Sequence, residues 1–178
     1  KARLAYEGLV RWGPMAKEIL PNLAVSWDVA DSARSFTFKL RRGVRWSDGH
    51  PFTADDIVFW YERVIKNDDL TPSLPAAFVR EGRLMEMEKL DDYTVRFTFE
   101  RPHGLFLKVL ASGQSYEMAD YPGHYLQQYH PDFVPVEELT ARADSAGFDF
   151  WYQLWGDVRD WRNKDLPRIW PWIIKEPP

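Results

Sequence analysis

The sequence of 178 residues contains no cysteine, which excludes disulfide frameworks, thiolate metal sites and cysteine nucleophiles together. Either an oxidising or a reducing compartment fits that absence. A basic excess is also missing: 23 Lys and Arg against 27 Asp and Glu give a net charge of −4. Without a surface to track a phosphate backbone, nucleic acid is not an expected partner. No apolar run approaches the roughly 20 residues that cross a bilayer, and Lys1 to Glu7 lack the long apolar stretch of a signal peptide. Glycine-rich phosphate loops are absent, and Ser26 and Ser112 lack the glycine-flanked elbow of a hydrolase nucleophile. What is present is ordinary for a folded chain, with 45% hydrophobic and 28% charged residues. That composition and length predict one folded unit over residues 1–178 with a sizeable core.

Hydrophobic periodicity divides the first half. Phe36, Phe38 and Leu40 alternate with Thr37, Lys39 and Arg41, which predicts a strand buried on one face. Ser47-Asp48-Gly49-His50-Pro51 concentrates turn residues. Thr53 then reads as an N-cap, with Asp55 and Asp56 at the positive end of a helix dipole. Ile57, Val58, Trp60, Tyr61, Val64 and Ile65 recur at helical spacing, so Asp56, Glu62 and Arg63 are expected to face water and the helix to stop near Asn67. Met85, Met87 and Lys89 share one parity, Asp91-Asp92 turns the chain, and Tyr93, Val95, Phe97 and Phe99 alternate with polar residues. This predicts an antiparallel hairpin. Beyond Pro102 the pattern turns helical, with stripes at Leu105, Phe106, Val109 and Leu110, at Tyr125, Leu126 and Tyr129, and at Leu139 with Ala143. Strands followed by helices argue for α+β, a small mostly antiparallel sheet with flanking helices. Leu4 to Leu9 reads as the end of a helix and Trp170 to Ile174 as a strand-like run, so a fragment of a longer chain is expected.

Candidate chemistry is thin. His124 and His130 are six residues apart and point to different sides of a helix, so His50, His103, His124 and His130 read as surface or cap residues and no metal is expected. The acidic pairs Asp55-Asp56, Asp68-Asp69, Asp91-Asp92 and Glu137-Glu138 fall at turns or helix starts, where carboxylates accept backbone N–H bonds. Aromatics are 16% of the chain, with nine Trp, and crowd residues 148–172. Flat rings there could stack on sugars or close over a peptide. Phe148, Trp151, Tyr152 and Trp155 also share one helix face, and such a face is usually packing.

Four blocks then follow one another in order: Tyr6-Glu7-Gly8-Leu9-Val10; Leu23-Ala24-Val25-Ser26-Trp27-Asp28-Val29; Phe36 through Gly49, with Lys39-Leu40-Arg41-Arg42-Gly43-Val44-Arg45-Trp46-Ser47-Asp48-Gly49; and Pro51-Phe52-Thr53-Ala54-Asp55-Asp56-Ile57-Val58-Phe59. This series closely resembles the extracytoplasmic solute-binding proteins, family 5, of bacterial ABC importers. The likeness runs over about residues 6–133 and includes Arg101-Pro102, whereas 134–178 reads as a helical, Trp-rich flank.

The resemblance implies a two-lobed periplasmic-binding-protein-like fold, of which these residues are the extra α+β subdomain of one lobe. It implies a receptor, not an enzyme, with no catalytic residue and no cofactor. Such a receptor captures peptides outside the cytoplasmic membrane and delivers them to the transmembrane subunits of an ABC permease. An oligosaccharide receptor of the same family is the alternative, and a carbohydrate-active enzyme or a Trp-rich interaction domain are the rivals from other classes. A glycosidase needs two carboxylates about 5 to 9 Å apart across a cleft, and here the pairs sit at turns. A monomer is expected, periplasmic or extracellular, held at the membrane by the permease or a lipid anchor. Counting without gaps from Ala54 places a solute-contacting loop at Ser73, where peptide-binding relatives can carry an aromatic. Counting from Pro102 places a second at Ser112, Gly113 and Gln114.

Overall fold

Period-two alternation becomes a four-stranded antiparallel sheet in the structure, a computed structural model that describes residues 7–169. Its strands are β3 (Ala24–Ala30), β4 (Ser35–Leu40), β7 (Glu86–Asp91) and β8 (Thr94–Thr98), in the order β3-β4-β8-β7. Phe36 lies opposite Phe97 and Phe38 opposite Val95, so the alternating apolar residues of two central strands fall on one buried face. Two short hairpins flank the sheet, β1 (Val10–Trp12) with β2 (Ile19–Pro21) and β5 (Val79–Arg80) with β6 (Arg83–Leu84).

Helix α1 (Ala54–Phe59) begins as the sequence predicts. Thr53 Oγ1 accepts the Asp55 N–H at 3.2 Å, and Asp56 returns the bond by accepting the Thr53 N–H at 2.9 Å. The helix continues as a π-helical turn over Trp60–Ile65. Ile57, Trp60, Tyr61 and Val64 are buried, and Tyr61 donates its hydroxyl to Met85 O at 2.7 Å. Lys89 Nζ bridges Asp55 and Asp92 at 2.7 and 2.9 Å, fastening the start of α1 to the β7–β8 turn. Asp56 does not face water: it is 5% exposed, because its carboxylate turns inward to serve as the cap.

After the sheet come α2 (Phe106–Val109), a π-helical turn over Leu110–Gln114, α3 (Ser115–Met118), α4 (Gly123–Leu126), α5 (Val136–Ser145) and α6 (Trp151–Val158). Phe106 packs edge-on against Phe36 and Phe99 at 4.9 and 4.8 Å between ring centres, which seats α2 on the sheet's buried face. Gly113 supplies the positive φ of 112° inside its π-turn. Helix α6 is fixed at its start by Gln153 Oε1, which accepts from the Asp149 and Phe150 N–H groups. Trp151 and Trp155 are buried, as a packing face requires, whereas Phe148 precedes the helix and Phe150 is half exposed.

Two expectations need correction. Glu7–Leu9 is not helical, because Gly8 O and Leu9 O accept from the N–H groups of Leu23 and Ala24 and hold the chain extended toward β1. The remainder of that expected helix and the strand-like run at Trp170–Ile174 lie outside the described residues. His103 and His130 are not surface or cap residues but buried, at 3% and 1% exposure. Each finds partners for both ring nitrogens inside the fold, which removes the usual cost of burying an imidazole.

Candidate functional site

A cleft of about 700 Å³ opens between β1 and the π-turn that follows α2. Glu7, Arg11, Trp12 and Asn22 form one wall, and Ala111, Ser112, Gly113 and Tyr116 form the other. Trp12 donates its indole N–H to Ser112 Oγ at 3.1 Å, and the same hydroxyl donates to Lys108 O at 2.8 Å. Asn22 Nδ2 donates to Glu7 Oε2 at 2.5 Å and to Gly8 O at 3.0 Å. Behind the cleft, Ser115 Oγ donates to Leu110 O at 3.0 Å, and this buried hydroxyl fills the space a Cβ on Gly8 would occupy. Glycine is required there by close approach.

Chemically the cleft combines a carboxylate, a guanidinium, a carboxamide and two aromatic side chains. Amide and charge-bearing groups orient a polar solute, while the flat rings supply contact area. A nucleophile activated by a neighbouring base is not among its lining residues. Among the described residues, no three His, Asp or Glu side chains converge as metal ligands.

Of the residues singled out from the sequence, Ser112 and Gly113 line this cleft. Gln114 completes the same π-turn, half-buried, without being part of the lining. Ser73 lies elsewhere, exposed in the loop between α1 and β5. Sequence reading missed Trp12, Arg11 and Asn22. Glu7 and Gly8 stood in the first family-like block, but nothing local in the sequence brings them to residues a hundred positions away.

Three of the acidic pairs hold a structural contact, through Asp55 and Asp56, Asp91 and Asp92, and Glu138. Asp91 accepts the Tyr93 N–H at 2.7 Å, and Glu137 and Glu138 occupy the first turn of α5. Burial raises the Asp56 pKa, opposed by hydrogen bonds from the Thr53 and Gly123 N–H groups. His50 and His124 stack at 3.9 Å between ring centres, with His124 Nε2 2.8 Å from Asp48 Oδ2. Burial lowers the pKa of both His103 and His130, which favours the neutral imidazole.

Comparison with known proteins bears on what the cleft serves. The protein-family model for bacterial extracellular solute-binding proteins, family 5, middle region, matches residues 18–151. The chain is 35% identical over 139 residues to the periplasmic alpha-galactoside-binding protein of Rhizobium meliloti strain 1021, covering 72% of this chain and 19% of that protein. It is 30% identical over 141 residues to di/tripeptide-binding protein 1 of Pseudomonas aeruginosa strain UCBPP-PA14, covering 71% of this chain and 26% of the relative. Among solved structures, an oligopeptide-binding protein OppA superposes with a TM-score of 0.87 at 40% identity, over 98% of this chain and 27% of its own. The binding protein MelB of Agrobacterium fabrum C58, in complex with stachyose, superposes with a TM-score of 0.59 at 32% identity, over 74% of this chain and 20% of its own. The chain thus spans about a fifth to a quarter of the length of these proteins.

Proposed function

The chain belongs to the bacterial extracellular solute-binding proteins of family 5, and from that premise we propose that it forms part of one lobe of a receptor that captures peptides outside the cytoplasmic membrane and hands them to an ABC permease. The observation that carries this reading is the OppA superposition, which extends over nearly the whole chain. The cleft beside Trp12 and Ser112 is this lobe's contribution to solute contact, with Gln114 on the same turn, and Ser73, on the α1–β5 loop outside this cleft, is proposed as a separate contact. Closure over the solute by the opposing lobe is the signal the permease reads, because a ligand that touches both lobes favours the closed arrangement. The relatives named above are binding proteins by description, which supports a receptor without catalytic activity.

A second reading, an oligosaccharide receptor, draws support from the alpha-galactoside-binding relative and the stachyose complex. Trp12 and Tyr116 would then stack on sugar rings.

Calorimetry distinguishes these readings. With one side of the cleft, the 178-residue chain is expected to bind tri- to pentapeptides or stachyose no tighter than about 1 mM, since losing half of a micromolar receptor's roughly 8 kcal/mol leaves that affinity. A longer polypeptide carrying these residues and the opposing lobe is expected to bind peptides in the micromolar range or tighter. Binding of stachyose alone by that polypeptide favours the second reading. Tight binding by the 178 residues themselves overturns the two-lobe proposal.

A further inference from the structure

His103 sits between the end of the sheet and the start of α2, its backbone N–H donated to Ala33 O at 2.7 Å and its ring edge-on to Phe99 at 4.9 Å between centres. Both ring nitrogens reach toward the β5–β6 hairpin and the short turn before it. Arg80 Nη2 lies 2.7 Å from Nδ1, and Ala77 O lies 3.3 Å from Nε2. A guanidinium can only donate and a carbonyl can only accept. The two partners therefore fix one tautomer, with Nδ1 bare and Nε2 carrying the proton.

A second proton has no place in this arrangement. It would set N–H against N–H across 2.7 Å and an imidazolium against a guanidinium. The surrounding charged groups do not relieve that conflict. On the hairpin, Glu81 pairs with Arg101 at 3.3 Å and Arg83 with Glu100 at 3.1 Å, and all four side chains are exposed. From the β3–β4 loop, Asp31 and Arg34 line an outer cleft with Arg83 and Glu100. The ring's own hydrogen bonds go to Arg80 and Ala77, so no carboxylate shares its charge.

We propose that His103 is a proton-operated latch: neutral, it clamps the β5–β6 hairpin to the body of the fold, and protonated, it releases Arg80 and the hairpin with it. Burial, and next the charge of Arg80, hold the imidazole pKa below its ordinary value, which keeps the latch shut at neutral pH. The opening is confined to the hairpin, because the adjoining Phe78 is buried against Trp60 at 5.1 Å between ring centres. Regulation of this kind goes beyond solute capture and stands whether or not Ser73, on the loop leading to the hairpin, touches solute.

Hydrogen–deuterium exchange of the 178-residue chain tests it without any ligand. After correction for intrinsic exchange, protection of amides in residues 79–84 is expected to fall about tenfold for each pH unit once His103 titrates, a proton-linked opening being worth a factor of ten per unit. The Met85 N–H, bonded to Phe78 O at 2.8 Å, lies at the anchored base and is expected to stay protected. His103→Gln offers an uncharged ring substitute and is expected to abolish the fall between pH 7.5 and 5.5. Arg80→Gln removes the opposing charge and is expected to shrink it, while His130→Gln leaves it in place. A hairpin equally protected at both pH values in the unsubstituted chain overturns the proposal, and so does a full-sized fall in either His103→Gln or Arg80→Gln.

Discussion

The Trp12 indole donates to the Ser112 hydroxyl across 100 residues of sequence, at 3.1 Å, and this bond holds β1 against the π-turn at the mouth of the cleft. Ser112 is exposed, so Ser112→Ala is expected to change the free energy of unfolding by less than about 1 kcal/mol. Solute affinity of the receptor is expected to drop about fivefold, the worth of one net hydrogen bond. Urea melts beside calorimetry read the two effects separately, and unchanged affinity would remove Ser112 from the solute surface.

Gly8 tests the packing behind that cleft. A Cβ there meets the buried Ser115 Oγ, so Gly8→Ala is expected to destabilise by about 1–3 kcal/mol through overpacking. Combining it with Ser115→Gly, which removes the obstructing side chain, should recover part of the loss in a double-mutant cycle. Strict additivity would mean the two residues do not meet.

At the start of α1, Thr53→Ala is expected to cost about 1 kcal/mol, the value of an N-cap oxygen. Asp56→Ala should cost more, about 2 kcal/mol, because its buried carboxylate serves the Thr53 N–H and also lies 3.4 Å from the Gly123 N–H. Equal losses in chemical denaturation would show that the link to α4 contributes nothing.

Acid should weaken the fold through His130. Its Nε2 donates to Arg63 O at 2.8 Å, its Nδ1 accepts the Asp132 N–H at 3.2 Å, and burial lowers its pKa. The unfolded chain binds this proton near pH 6.5 while the native state resists it, so stability present above about pH 6.5 is lost as pH falls toward the native pKa, at up to about 1.4 kcal/mol per unit. Asp56 has the opposite sign, because burial raises its pKa and the native state gains a proton before the unfolded chain does. His130→Gln is expected to flatten the pH dependence of urea midpoints between pH 7 and 5; a slope as steep as the parent's would contradict the assignment.

Local signals made much of this fold legible. The alternation at 36–41 and 93–99 produced β4 and β8, and the Thr53 cap produced α1 at the expected residue. The same signals misplaced Asp56, since a charged residue in a first turn looks exposed whether it faces solvent or folds back to cap. Burial of His103 and His130 was illegible because their partners, Arg80 and Arg63 O, lie 23 and 67 residues away. For the candidate site, counting from Pro102 reached Ser112, but the opposing Trp12 comes from another element whose docking no spacing rule encodes. The tryptophan-rich stretch was half readable: helical spacing placed Trp151 and Trp155 inside, and only the start of α6 decided that Phe150 stays out.

The π-turn at Leu110–Gln114 gives the cleft a length-dependent geometry. Such a turn is an α-helical turn holding one residue more than it needs, and each residue of α-helix rotates the next part of the chain by about 100°. Deleting a single residue there, such as Ala111, would swing Ser115 away from Gly8 by a little over a quarter-revolution, while the positive φ of Gly113 still keeps the segment from closing into regular α-helix. Shape at this wall is thus written in residue count as much as in residue identity, so a one-codon deletion would remould the cleft more than substitution of any side chain that lines it.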